Sequence, residues 1–431
     1  MRLVASVLLA LTASFPLFAQ DANDLERRLR ELEQKISQMQ AAQPSNDLTE
    51  IRRQIEILGQ EIESLKTRQT EKPAAADEVQ FGLGAAASKV YRSAPGVSFG
   101  GYGEFLYQNL EERTDNADAL RAILYTGYKF SDRVILNSEI EYEHANTERN
   151  GEVEVEFAYL DYLIDPKVNV RTGLMLMPLG ITNEQHEPTA FLAARRTQVE
   201  SRIIPTTWSE LGAGVFGDIG RVSYRAYVTT GLSSAGFSAT GVRNGRQMGS
   251  QAKADDLAFV GRLDWQPIEG TILGGSAYSG NSGQDAAFGG RVTIAEIHAD
   301  AKYRAFSLRA LASRGTIDDA AAVNDANHLT GSGSVGESFG GWYLEGGYDV
   351  ASMFPRGELS VTPFVRYEDY DTQRKVPTGF LRNPANDQNI LTIGVAVKPI
   401  PQTVIKVDWQ DVDNAAGTGL NQWNIGVGYI F

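Results

Sequence analysis

Arginine recurs beside small polar or acidic residues in stretches where hydrophobic side chains fall at every second position. Arg171 stands two residues from Asn169, Arg225 two from Ser223, Arg262 two from Asp264 and Arg309 two from Ser307, while Arg366 lies between Thr362 and Glu368. A guanidinium stays protonated near neutral pH and offers forked donors to oxyanions. Ranged along one face of a wall, such groups would draw in phosphate or carboxylate and pass it on, each holding weakly enough to release it. The same groups could equally pair with carboxylates and merely stiffen that wall. Three further arginines, Arg195, Arg196 and Arg202, crowd into the connection 178–207. Carboxylates are also unevenly placed. Glu139, Glu141 and Glu143 share one face of a single segment, and Glu154 and Glu156 follow on its neighbour. Acid facing base across a narrow space makes a transverse field, and this acidic stripe is the chief feature against strict anion selectivity.

Other chemistries find little support. The four histidines (His144, His186, His298, His328) have no metal-ligand spacing, and no cofactor is implied. His144 lies six residues after Ser138, too far along one extended segment for a nucleophile–base pair, so no catalytic residue is assigned and the chain is not expected to be an enzyme. The glycines of FGGYGEF (Gly100, Gly101, Gly103) follow no strand-to-helix pattern and do not form a phosphate loop. There is no cysteine, hence no disulfide or thiolate chemistry, and the net charge of -14 argues against nucleic acid as a partner.

The elements that must position these side chains are strands. From Val97 to Phe431 the chain breaks into sixteen alternating segments of about 10–15 residues, long enough for tilted membrane strands. The last, NQWNIGVGYIF, sets Trp423, Ile425, Val427, Tyr429 and Phe431 on one face and Gln422, Asn424, Gly426 and Gly428 on the other. Every second connection is short, as at Ser131-Asp132, Pro166 and Pro399-Ile400-Pro401, whereas 178–207, 232–256, 315–338 and 371–387 are long. Sorting loops by parity is the layout of an outer-membrane barrel, with short periplasmic turns and longer external loops. The pattern therefore predicts an all-β fold, a 16-stranded antiparallel transmembrane β-barrel over 97–431. The whole chain's mean hydropathy of -0.25 is no obstacle, because lipid-facing and lumen-facing residues average out. The connection 178–207 is too long and apolar for a solvated tip, with Phe191, Leu192, Ile203 and Ile204. It would either fold inward to narrow the pore, carrying Arg195, Arg196 and Arg202 to the constriction, or pack outside at a subunit seam.

Ahead of the barrel, residues 1–19 read as a signal peptide, with Arg2 before an apolar run too short to span as a helix. Residues 20–72 read as an α-helical coiled coil in the periplasm, its seam running through Leu25, Leu29, Leu32, Ile36 and, after Pro44, Ile51, Ile55, Leu58, Ile62 and Leu65. A single amphipathic helix is the alternative. Residues 73–96 read as a linker that could enter the barrel mouth.

The run VILNSEIEYEHAN, then GEVEVEFAYLDYLIDPKVNVRTGLMLMPLGITNEQHEPTAF and RIIPTTWSELGAGVFG, resembles the phosphate-selective porin O and P family. A coiled coil before the barrel is similar to the dicarboxylate-channel branch of such porins. The resemblance implies homotrimers, an inward third loop lined by basic residues, and passive diffusion of small anions. It carries most directly to Arg171, Arg195, Arg196 and Arg202; Arg225, Arg262, Arg309 and Arg366 rest on face assignment alone. The family's constriction lysines have no counterpart in 178–207, which leaves small carboxylates as fitting a solute as phosphate. Expected partners are outer-membrane lipid and lipopolysaccharide, the assembly machinery through Phe431, and a periplasmic or peptidoglycan contact through the coiled coil. A general or weakly cation-selective porin, or an envelope-tethering protein, are the alternatives.

Overall fold

A computed structural model describes residues 79–354 and 357–431. The signal peptide of 1–19 and the coiled coil of 20–72 lie outside the described residues.

Sixteen strands form in chain order. The first eight are β1 (Gly96–Leu110), β2 (Asn116–Lys129), β3 (Val134–Glu143), β4 (Glu152–Asp165), β5 (Val168–Leu176), β6 (Ser209–Ile219), β7 (Val222–Thr230) and β8 (Leu257–Trp265). The remainder are β9 (Thr271–Gly280), β10 (Val292–Tyr303), β11 (Phe306–Ile317), β12 (Ser338–Tyr348), β13 (Ser360–Lys375), β14 (Asp387–Lys398), β15 (Thr403–Asn414) and β16 (Gln422–Ile430). Each pairs antiparallel with its chain neighbours, and β1 closes on β16 with Tyr102 opposite Ile430 and Leu110 opposite Gln422. Closure leaves no unpaired edge, which backbone in a hydrocarbon medium requires. No helix among the described residues is long and apolar enough to cross a membrane.

Alternation explains why these segments are strands and which way they face. In β16 the side chains are buried and exposed by turns along its whole length, with Trp423, Ile425, Val427 and Tyr429 outward and Gln422, Asn424, Gly426 and Gly428 inward. β15 repeats this, with Ile405 outward and Lys406, Asp408 and Gln410 inward. Around the ring the exterior is apolar. Aromatic residues sit at both rims: Phe130, Trp265, Tyr303, Phe306 and Phe431 by the short turns, and Tyr107, Tyr142, Phe259 and Trp423 toward the long loops. An apolar band bounded by aromatic girdles is the surface a lipid bilayer accepts.

Three pieces of chain fold into the lumen. Residues 79–95, expected as a linker, enter from the short-turn end and carry the one-turn helix α1 (Lys89–Arg92). Leu83, Ala85, Ala86, Ala87, Val90 and Tyr91 there are all buried. The connection 177–208 crosses the barrel with its short helix α2 (Gln198–Arg202), and 231–256 packs beside it. Together with inward aromatic residues such as Tyr102, Phe157 and Trp208 they form the hydrophobic core. An apolar core inside a polar-walled barrel is how the long loops bury the residues that made them too apolar for solvent.

Candidate functional site

The five strand arginines singled out from the sequence all face the lumen, and each meets a carboxylate there. Arg171 on β5 meets Asp161 of β4 in a two-pronged pair, Nε to Oδ1 at 2.8 Å and Nη2 to Oδ2 at 2.9 Å. Its guanidinium also lies 3.9 Å above the Tyr159 ring and donates to the Tyr91 hydroxyl at 3.1 Å. Arg225 on β7 binds Glu184 at 3.0 Å and Asp264 at 3.1 Å. Arg262 on β8 binds the same Asp264 at 2.8 Å. Arg309 on β11 pairs with Asp300 at 2.5 Å, and Arg366 on β13 with Glu368 at 2.9 Å and Glu345 at 3.4 Å. Their register puts basic and acidic residues side by side on the inner face, so their forked donors are largely occupied. These five therefore hold the wall and the inserted chain, and give no open file of anion sites.

The loop arginines differ. Among the described residues, no carboxylate lies within ion-pair distance of Arg195, Arg196 or Arg202, nor of Arg243 and Arg246 from the connection 231–256. Arg196 donates to the His186 carbonyl at 3.0 Å and reaches the Tyr102 hydroxyl at 3.4 Å, while its Nε has no partner. Arg243 bonds only the Ser201 carbonyl, at 3.5 Å, and Arg246 the carbonyls of Thr207, Pro205 and Arg243. Burial, then the guanidinium charges of Arg246, Arg196 and Arg202, push Arg243 down to about 9. Burial and the neighbouring Arg202 likewise lower Arg195. Crowded cations that none of the neighbouring carboxylates pairs directly are what an anion-attracting site needs.

A cavity separates this cluster from the wall. Arg195, Arg196 and Arg243 line one side, and Glu104, Asp118, Arg121, Glu143 and His144 the other. Below them Glu141 and Glu156 continue the acidic stripe of β3 and β4, with Arg121 threaded between Glu104 (3.5 Å), Glu141 (3.7 Å) and Glu143 (3.4 Å). The field expected from sequence is thus present, with its basic side supplied by two loops.

Carboxylates of the wall hold the crossing loop in place. Asp408 accepts the Ala194 N–H at 2.6 Å. Glu368 accepts from Gln198 N–H at 2.6 Å and Val199 N–H at 3.2 Å, at the N-terminus of α2, where Thr197 caps the Glu200 N–H at 3.1 Å. Glu200 in turn accepts from Ile181 N–H, Thr182 N–H, the Thr182 hydroxyl and, at 2.7 Å, the Tyr343 hydroxyl. From the short-turn side, Glu187 accepts the N–H groups of Ala86 (2.9 Å) and Ala87 (3.0 Å), tying the inserted segment to the loop.

Sequence reading named Arg195, Arg196 and Arg202 but missed Arg243 and Arg246. The signal available was their spacing of three in a long external loop, RNGR. Nothing local says that this loop turns inward. Nor does spacing join His186 to Glu139 and Glu156, which the fold brings together. His144 hydrogen-bonds Asp118 at 2.6 Å and no serine.

No family model matches the chain. Among solved structures, a loop-deletion mutant of OmpT, an outer membrane protein of Vibrio cholerae, aligns with a TM-score of 0.52 and 10% identity over 79% of this chain and 100% of that one. OmpF of Salmonella typhi, in complex with daunomycin, aligns with a TM-score of 0.51 and 11% identity over 78% and 97%. The barrel thus has the fold of the outer-membrane porins. An uncharacterized protein of Aquifex aeolicus (strain VF5) is 38% identical over 342 residues, 76% of this chain and 78% of its own. With that identity over that span, the chain belongs to the same family as the Aquifex aeolicus protein.

Proposed function

We propose that the chain is an outer-membrane porin through which small solutes, anions in preference, diffuse passively. The observation that carries this is the group of five guanidinium groups on the two inward loops, with no carboxylate in ion-pair reach among the described residues, three of which, Arg195, Arg196 and Arg243, line an open cavity. Anions entering from the long-loop side would lose water only where these donors replace it, and would leave because no single arginine encloses them. The exterior apolar band supports insertion in the outer membrane, and the porin fold supports a homotrimer like those implied by the phosphate-selective resemblance. Without a lysine in 178–207, the arginine cluster suits carboxylates as well as phosphate. Retention of a signal peptide, a periplasmic coiled coil and a peptidoglycan contact in this reading rests on sequence alone.

One observation favours a second reading. The wall opposite the arginines carries Glu104, Asp118 and Glu143, and an acid stripe of that size admits cations beside anions. A general or weakly cation-selective porin would have this layout. Liposome swelling separates a channel from a tethering barrel whose pore is incidental: reconstituted protein should pass small sugars and dicarboxylates. Vesicles that do not swell would refute transport.

A further inference from the structure

At the start of the crossing loop, His186 meets two glutamates of the wall. Its Nε2 lies 3.2 Å from Glu139 Oε1 on β3 and 3.7 Å from Glu156 Oε2 on β4. All three side chains are at most 2% exposed, and their nearest ligand atoms fall within 4.8 Å of one another. The other ring nitrogen, Nδ1, is 2.9 Å from the Asn183 carbonyl, to which it donates. That bond fixes the ring and turns Nε2 toward the carboxylates.

The group is electrostatically incomplete as it stands. Glu139 Oε2 and both carboxylate oxygens of Glu156 have no hydrogen-bond partner. Arg196 passes close by but spends its donors on the His186 carbonyl and the Tyr102 hydroxyl, and makes no ion pair with either glutamate. A proton on Nε2 would satisfy one oxygen and leave three bare, and each unpaired buried carboxylate costs several kcal/mol. A dication between them would take the imidazole and one oxygen of each carboxylate, and its charge would compensate both glutamates. We propose that His186, Glu139 and Glu156 form a divalent-cation site that pins the crossing loop to the barrel wall, with Zn²⁺ as the ion. Tetrahedral ligands at 2.0–2.1 Å from zinc stand roughly 3.3 Å apart, close to the separations from His186. An imidazole ligand disfavours Ca²⁺ and Mg²⁺, which take oxygen, and a second-sphere carbonyl on Nδ1 is the usual support for a zinc-bound histidine. Three protein ligands leave a fourth position for water.

The site does not depend on the barrel's being a channel. The test uses full-length, untagged protein in detergent, stripped with EDTA, reloaded with Zn²⁺ and desalted, with metal measured by mass spectrometry and thermal unfolding followed in parallel. One zinc per chain and a raised melting temperature are expected. Glu156→Gln and His186→Gln should each weaken binding by at least about tenfold, while His328→Ala, at an exposed loop position, should keep it. Two ligand variants are used so that one folded variant suffices, and the wild-type metal content decides independently of both. Wild-type protein that retains no zinc would overturn the proposal, leaving the glutamates to share a proton. Zinc retained undiminished in a folded ligand variant would also overturn it, by placing the metal elsewhere.

Discussion

Arg171 shows what a charge inside this barrel demands. It is 2% exposed, and its buried charge is compensated by Asp161, which grips it with two hydrogen bonds, while Tyr159 and Phe216 lie against the guanidinium. Removing one partner of a buried pair costs far more than the pair is worth, because the survivor is left uncompensated. Asp161→Ala should therefore destabilise the barrel by about 3–5 kcal/mol, read from urea unfolding in detergent. Arg195 and Arg196 have no such partner, so alanine in their place should change stability little and selectivity much. Arg243 adds a pH dependence. Its guanidinium is held down to about 9 by burial and by its cationic neighbours, so the folded loop loses this charge at a lower pH than an unfolded chain does. Anion preference should be flat between pH 6 and 8 and fall as pH rises through about 9. Stability, by the same linkage, should rise with pH there, since the unfolded chain binds the extra proton. Bilayer selectivity measured across this range checks the first, and unfolding midpoints the second.

Among elements, the strands were legible and the loops only partly so. Period-two alternation names both faces of a strand, which is why Arg225, Arg262, Arg309 and Arg366 could be turned inward from sequence and are found there. Two partners were legible as neighbours on the same strand, Asp264 beside Arg262 and Glu368 beside Arg366, whereas Asp300 reaches Arg309, Glu345 reaches Arg366 and Asp264 reaches Arg225 only through register between strands. The length and apolarity of 178–207 pointed to an inward fold, and Ile203 and Ile204 are indeed buried. The inward turn of 231–256 left no comparable mark beyond Phe237 and Val242. Glu200 anchors the crossing loop through four donors. Glu200→Ala should free the loop, giving noisier single-channel currents and broader conductance at little cost to the barrel ladder. The inserted segment 79–95 allows a second test. A Cβ at Gly84 would displace the Glu187 carboxyl that holds Ala86 and Ala87, so Gly84→Val should loosen the segment in the short-turn mouth and raise conductance. Unchanged conductance would mean that the segment does not narrow the pathway.

For the whole molecule, closure governs everything else. A ring of sixteen antiparallel strands satisfies its own backbone, and this frees the outer face to be apolar and the inner face to carry the charge. That division also explains why a chain with a mean hydropathy of -0.25 suits a membrane. Phe431 sits at the closing seam, its carbonyl and N–H bonded to Gly101. Phe431→Ala should lower the amount of assembled barrel in the outer membrane, as judged by the heat-sensitive gel mobility of folded protein. The net charge of -14 conceals the local sign at this cavity, where arginines from two loops oppose an acidic wall. Reversal potential in a planar bilayer under a KCl gradient reads that local sign directly. A potential of the sign that chloride carries is expected, shifted toward zero when Arg195, Arg196 and Arg243 are replaced by alanine. A potential of the potassium sign, unaltered by those three substitutions, would contradict anion preference.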